Sequence, residues 1–200
     1  MRQIVFATHN KGKLREASEI LGYGFSLVTP SEIGLTEDIP ETGKTLEENS
    51  MQKARYIFEH KSCDCFSDDT GLEVEALGGA PGVYTARFAG PDKDFNKNMD
   101  KVLSELAHQE SIHPGISRRA RFRSVVTLIL DGQAHQFEGV LNGTIARAKS
   151  GHGGFGYDPI FIPDEYPDRT LADISEEQKN DISHRGKALS AMAAYIAGIS

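Results

Sequence analysis

The chain has 200 residues, of which 38% are hydrophobic and 26% are charged, and this composition is ordinary for a folded globular protein. Its formal net charge of −7 argues against a nucleic-acid surface, because such a surface needs a basic patch. No run approaches the roughly 20 apolar residues of a membrane span, and the N-terminal apolar run is too short for a signal peptide. We therefore expect a single cytoplasmic domain over residues 1–200 that binds neither nucleic acid nor membrane.

The first predicted elements are a strand over residues 3–7, a polar loop and a helix from Leu14 to Leu21, where apolar residues recur at helical spacing. The loop consists of Thr8, His9, Asn10, Lys11, Gly12 and Lys13. Because the first backbone N–H groups of a helix are unpaired, this loop is a candidate anion site, to which Lys11 and Lys13 add charge. The alternative is an exposed turn with solvated lysines. The loop lacks the GxxxxGK[ST] pattern of a Walker A motif.

A second helix is predicted after Thr45, because Thr45 and Glu48 have the spacing of a capping box. Asn49, Lys53 and Tyr56 fall on one face of this helix, and a largely apolar set falls on another. We expect the apolar face to pack in the core and Lys53 to point toward a ligand.

Two adjacent carboxylates, Asp68 and Asp69, follow a short strand predicted over residues 63–67. Like charges that lie close together raise the pKa of one carboxyl group and give the pair affinity for a divalent cation. The alternative is that both residues begin a turn, since Asp and Gly are common turn residues. Cys63 and Cys65 have a spacing that suits neither a disulfide nor the usual zinc pair, so we interpret them as thiols in a reducing compartment.

A long strand is predicted over residues 121–130, and Asp131-Gly132 then predicts a hairpin turn into an antiparallel return over residues 133–148. Helices mixed with at least one hairpin indicate the α/β class with a mixed sheet. The stretch from Gly151 to Gly156 formally matches G-x-G-x-x-G, but extended sequence follows it rather than a helix. We interpret this stretch as a loop that can approach a ligand closely.

Ser175 and Gln178 form another capping-box pattern, and the helix that they begin is interrupted near Ser183. The potential hydrogen-bond donors near this break are Lys179, His184 and Arg185. With Phe155 stacked on a planar base and these donors at its edge, the set would suit a nucleobase.

The charged residues elsewhere would suit a polyphosphate. Lys13 and Lys53 can contact phosphate groups, while Asp69 can hold Mg²⁺, which usually binds one or two carboxylates together with the phosphates of the substrate. The sequence thus predicts a site for a nucleoside polyphosphate.

Four stretches in this order, THNKGK, SDDTGLEVEALGGAPGVYTAR, GGFGYDPIF and ISHRGKAL, resemble the inosine/xanthosine triphosphate pyrophosphatases over nearly the whole chain. The resemblance implies one pyrophosphatase domain over residues 1–200, with an elongated mixed β-sheet, flanking helices and two lobes around a central cleft. It implies hydrolysis of non-standard purine nucleoside triphosphates (ITP, dITP and XTP) to the monophosphate and pyrophosphate, which keeps these nucleotides out of DNA and RNA. Mg²⁺ as cofactor and a homodimer are implied as well.

The resemblance also assigns residue roles. Asp69 becomes the proton acceptor and a metal ligand, and Lys53 becomes a catalytic group that positions phosphate or water. Pro40 stands where many members have a metal-binding Glu, which leaves Glu41 as the second candidate ligand, and His9 stands where Gly is frequent. The implied substrate-binding residues are Thr8, His9, Asn10, Lys11, Gly12, Lys13, Thr70, Phe155, Gly156, Tyr157, Asp158, Lys179, His184 and Arg185.

Base selection can be argued from hydrogen-bond donors. Arg185 only donates, and a protonated His184 would do the same, so both suit the 6-oxo group of hypoxanthine or xanthine better than the amine of adenine. Two alternatives stay open: a non-catalytic nucleotide-binding regulator, and a pyrophosphatase for modified pyrimidine or methylated nucleotides.

Overall fold

The computed structural model describes residues 2–22, 25–37 and 39–199 of the chain. The strands in these ranges are β1 (Arg2–Phe6), β2 (Phe25–Val28), β3 (Cys65–Val74), β4 (Arg119–Leu130), β5 (Gln133–Ile145) and β6 (Phe161–Pro163). The helices are α1 (Lys11–Leu21), α2 (Leu46–Lys61), α3 (Phe95–Ile112), α4 (Glu176–Ile182) and α5 (His184–Ile199). None of the helices described is long and apolar enough to cross a membrane.

The strands form one mixed sheet in the order β2-β1-β3-β4-β5-β6. β1 runs parallel to both β2 and β3, with Ile4 opposite Leu27, whereas β5 and β6 run antiparallel, with Thr144 opposite Ile162. The predicted α/β class with a mixed sheet and flanking helices is therefore confirmed.

The chain divides into two compact units, and β3, β4 and β5 each contribute residues to both. The first unit comprises Met1–Asp69, Ser124–Gly139 and His184–Ser200. The second unit comprises Thr70–Arg123 and Val140–Ser183. Whether these units count as the single domain expected from the sequence stays a prediction.

The core of the first unit has two layers because side chains alternate between the faces of a strand. Phe6 of β1 packs with Ala17 of α1 and Met192 of α5, while its neighbour Val5 packs with Ile57 of α2 on the other face. The predicted apolar face of α2 is thus in the core. This packing fixes the helix that carries Lys53 against the strand that carries Asp69.

The core of the second unit gathers around α3. Val102 and Leu106 on one face of this helix pack with Leu72 of β3. Phe122 of β4 and Phe161 of β6 belong to the same cluster, with ring centroids 4.7 Å apart.

The predicted hairpin turn lies between β4 and β5. Asp131 and Gly132 both have positive φ, 50° and 77°, as a two-residue hairpin turn requires. The sequence predicted extended chain directly after the Gly-rich loop. This prediction is wrong for Asp158–Ile160, which forms one 3₁₀ turn before β6.

Candidate active site

The aspartate pair lies inside a strand. β3 runs without interruption from Cys65 to Val74, so the alternative in which Asp68 and Asp69 begin a turn is wrong. Successive side chains of a strand point to opposite faces, and the two carboxylates therefore meet different partners. Both lie in the first unit.

Asp68 is enclosed by cations and only 2% exposed. Its carboxylate accepts hydrogen bonds from Lys13 Nζ at 2.8 Å and from Arg185 Nε at 3.1 Å. Arg185 Nη1 in turn donates to Glu16 Oε2 at 2.9 Å. The four side chains form a compact set of two ion-paired cations and two carboxylates.

These cations decide the ionisation of Asp68. Burial alone would raise the pKa of its carboxyl group, but Lys13, Arg185 and Lys53 together hold that pKa well below its usual range. Burial lowers the pKa of the Lys13 ammonium, and Asp68 opposes this effect. Asp68 is therefore a permanent anion that keeps two cations in place.

Asp69 has a different environment. Its Oδ1 accepts from Lys53 Nζ at 3.0 Å, and its Oδ2 accepts from Asn49 Nδ2 at 3.3 Å. The same Lys53 ammonium donates to Glu41 Oε1 at 2.7 Å. One lysine thus bridges the two carboxylates that were predicted to bind metal.

The pKa of the Asp69 carboxyl group is raised. Burial is the largest cause, and the negative charges of Glu41 and Asp68 add to it, while Lys53 opposes it. Burial lowers the pKa of Lys53, but Asp69, Asp68 and Glu41 outweigh that effect and raise it. Asp69 is therefore the carboxylate of the pair with greater proton affinity, as a general base requires.

The ligands available to a metal ion in the described chain are few. In residues 2–22, 25–37 and 39–199, no group of three or more His, Cys, Asp or Glu side chains is arranged to hold a metal ion. A two-carboxylate set is compatible with Mg²⁺, which completes its shell with water and substrate phosphates. Because Asp69 and Glu41 both contact one ammonium group, they are close enough to share a cation, and the residues fit such an ion.

The predicted anion loop lies at the start of α1, although Lys11, Gly12 and Lys13 already belong to the first turn of the helix, and a side chain caps that turn. Asn10 Oδ1 accepts from the backbone N–H groups of Gly12 and Lys13, and Thr8 Oγ1 accepts from the N–H of Asn10. The Lys13 side chain points to Asp68. His9 and Lys11 are exposed.

A second group of predicted residues lies in the second unit. Asp158 Oδ2 accepts from Lys179 Nζ at 2.9 Å and from the N–H of Phe155 at 3.0 Å. Tyr157 is buried, and its hydroxyl donates to the carbonyl of Thr85. Phe155 is 67% exposed, and Lys179 Nζ lies 5.9 Å from the centroid of its ring.

Backbone geometry requires glycine in this loop. A Cβ at Gly154 would lie 2.2 Å from Asp158 Oδ2, and φ there is +77°. The neighbouring Gly156 also has a positive φ, +65°. Asp158 and Lys179 thus fix a turn that presents Phe155 to solvent.

His184 and Arg185 begin α5 in the first unit, beside Lys13 and Asp68. Burial, followed by the charge of Arg185, lowers the pKa of His184 to about 3, which favours the neutral ring over the protonated imidazole considered from the sequence. A Cβ at Gly139 would lie 1.9 Å from the carbonyl oxygen of His184, so β5 needs glycine where α5 begins. The roles of His184 and Arg185 in a nucleoside pocket stay predictions, as does substrate contact by Thr70.

Sequence reasoning missed two side chains of the first unit. Glu16 lies one helical turn after Lys13, a spacing that could have indicated a partner for the same site. Asn49 lies one turn before Lys53 on the face that was recognised, but no role was assigned to it.

The sheet and the two carboxylate sets define a mixed α/β protein with a buried, densely charged site. A model of the Ham1 family matches residues 4–195. A dITP/XTP pyrophosphatase of Flavobacterium psychrophilum is 46% identical over 190 residues, which cover 95% of this chain and 96% of that protein. The chain belongs to the Ham1 family.

Solved structures agree with this assignment. The Staphylococcus aureus Ham1 protein superposes with a TM-score of 0.90 at 37% identity, with all of both chains covered. A HAM1 protein from Coxiella burnetii gives a TM-score of 0.91 at 36% identity, covering 99% of this chain and 100% of that one.

Proposed function

We propose that the protein hydrolyses non-standard purine nucleoside triphosphates, among them dITP, XTP and ITP, to the monophosphate and pyrophosphate. The observation that carries this proposal is the Asp69 carboxylate, which has a raised pKa and contacts a lysine shared with Glu41. The substrate class follows from the relatives, which are named as dITP/XTP pyrophosphatases. Such hydrolysis removes these nucleotides before polymerases can use them.

Asp69 acts as the general base. It accepts a proton from a water molecule whose oxygen forms a bond to the α-phosphorus, while the bond from that phosphorus to the bridging oxygen of the β-phosphate breaks. Pyrophosphate leaves, and the monophosphate keeps the oxygen of the water. Lys53 orients Asp69 through its 3.0 Å contact. Lys13, which contacts Asp68 on the same strand β3, balances phosphate charge.

Asp69 and Glu41 would hold Mg²⁺ together with the substrate phosphates. Such an ion neutralises charge that develops on the leaving pyrophosphate. The support for this assignment is the pair of carboxylates on one ammonium group.

The base binds against the exposed ring of Phe155, which the Asp158–Lys179 pair supports through the loop backbone. We propose in addition that the Arg185 guanidinium, which only donates hydrogen bonds, selects for a 6-oxo group on the base.

We also propose that the protein is a homodimer and that it works in the cytoplasm. Both come from the resemblance and the composition of the chain. Sedimentation velocity with and without Mg²⁺ tests the first, with the mass of two chains expected.

Product analysis tests the function itself. With Mg²⁺, we expect monophosphate and pyrophosphate, fastest from dITP, ITP and XTP in a panel that includes adenosine, guanosine and pyrimidine triphosphates. Saturable binding without product would favour the regulator. Preferred turnover of modified pyrimidine or methylated nucleotides would favour the other pyrophosphatase.

A further inference from the structure

A buried amide connects the two carboxylates of the proposed metal site. Asn49 of α2 is 2% exposed, and its Nδ2 donates to Asp69 Oδ2 at 3.3 Å. Its Oδ1 accepts from the backbone N–H of Gly43 at 2.8 Å. Both ends of this side chain are therefore in use, one on β3 and one on the segment before α2.

Gly43 brings this segment unusually close to the helix. A Cβ at residue 43 would lie 2.7 Å from Cβ of Glu48 and 2.8 Å from Oδ1 of Asn49, so any larger residue must displace the chain. Glu41 precedes Gly43 by two residues, a span of at most about 7 Å. Fixing the N–H of Gly43 consequently limits where the Glu41 carboxylate can go.

Lys53 lies four residues after Asn49, so the two side chains occupy the same face of α2. The lysine contacts both carboxylates directly, and the asparagine contacts Asp69 directly and Glu41 through the backbone. Of these two side chains, the asparagine is uncharged. It contacts Asp69 Oδ2 and leaves Asp69 Oδ1 to the lysine. The amide therefore adds an uncharged contact that supports the position of Asp69 beside the lysine.

We propose that Asn49 is a positioning residue that sets the separation of Asp69 and Glu41 and thereby the affinity of the site for a divalent cation. This inference rests on the proposed function, because it concerns the same metal site. Hydrogen bonds to ligating carboxylates typically control metal affinity by about 10–100-fold.

The first test is the Asn49→Ala variant with Mn²⁺ as the probe. Free Mn²⁺ is followed by electron paramagnetic resonance in the presence of pyrophosphate, against a protein-free titration that accounts for the Mn²⁺ held by pyrophosphate alone, so that no turnover is needed. We expect Mn²⁺ binding to weaken by about 10–100-fold and the Mg²⁺ concentration for half-maximal activity to rise by a similar factor. At saturating Mg²⁺, the KM for dITP should change much less.

Asn98→Ala is the matched control. Asn98 is equally buried and also uses both ends of its amide, accepting from the N–H of Ala89 and donating to the carbonyl of Ala86, but it lies in the second unit. The variant should lose stability as Asn49→Ala does, while its Mn²⁺ affinity stays that of the native protein.

A second variant changes Gly43, the backbone partner of Asn49. Gly43→Ala introduces a Cβ that pushes residue 43 from α2 and should weaken Mn²⁺ binding in the same direction as Asn49→Ala. Native Mn²⁺ affinity in either folded variant would overturn the positioning role. If the native protein binds no Mn²⁺, the metal assignment and this inference both fail. Product analysis still tests the proposed hydrolysis independently.

Discussion

Asp68 meets two cations, Lys13 and Arg185, whereas the adjacent Asp69 shares one cation, Lys53, with another carboxylate, Glu41. The first arrangement lowers a carboxyl pKa, and the second allows burial to raise one. Neighbouring groups whose pKa values are pushed apart commonly divide the work of a site. Here Asp68 organises cations, and Asp69 is left able to accept a proton or a metal ion.

Asp69→Asn should have the largest effect on turnover. The amide keeps the size of the side chain but loses the basic oxygen, so kcat should fall by about 10²–10⁴-fold while nucleotide binding is largely retained. Single-turnover rates and binding titration with dITP separate these quantities. Full activity in this variant would remove Asp69 from the role of base.

Asp68→Asn should act mainly on stability. It leaves Lys13 and Arg185 without their shared anion, which should lower the free energy of unfolding by up to about 3 kcal/mol, because both cations are largely buried. Urea unfolding measures this loss. A variant as stable as the native protein but as inactive as Asp69→Asn would reverse the roles of the two aspartates.

Burial of His184, together with the charge of Arg185, should make the protein sensitive to acid. The folded-state pKa of His184 is about 3 against an ordinary 6.5, so the unfolded chain binds the proton more readily. Stability should therefore be lost progressively as pH falls from about 6.5 toward 3. The His184→Gln variant should show a shallower decline in urea unfolding over this range, and an unchanged slope would argue against the buried neutral ring.

Glu16→Gln should have the smallest effect. Arg185 keeps Asp68 and loses only the charge of its outer partner, so the free energy of unfolding should fall by about 1 kcal/mol. Glu19→Gln is the control on the same helix, because Glu19 and its partner Arg15 are both exposed and their nitrogen and oxygen lie 3.9 Å apart. Equal effects in the two variants would mean that the Asp68 set tolerates loss of its outer charge.

Local signals in the sequence predicted the elements well. The capping box of Ser175 and Gln178 is present in full, and the break near Ser183 separates α4 from α5. At α2, Thr45 caps the helix as predicted, but Glu48 accepts from the N–H of Lys44 instead of Thr45. Such caps depend on a few neighbouring residues, so short-range spacing can reveal them.

The ion pairs of the site could not be predicted from local spacing. The charge of Asp68 adds to the raised pKa of Asp69, as expected, but strand alternation also directs the two carboxylates to different partners. Arg185, one of the two partners of Asp68, lies 117 residues away in the sequence. Burial of His184 depends on how α5 begins against Gly139. Contacts at such separations arise from packing, which residue spacing does not encode.

The side chains Asp68, Glu16, Asp69 and Glu41 carry four negative charges, and Lys13, Arg185 and Lys53 carry three positive ones. This set therefore repels a polyanion until another positive charge arrives. By thermodynamic reciprocity, a cation that raises the affinity for the nucleotide is itself bound more tightly by the same factor when the nucleotide is present. Nucleotide and cation should thus bind the protein cooperatively, each more tightly in the presence of the other.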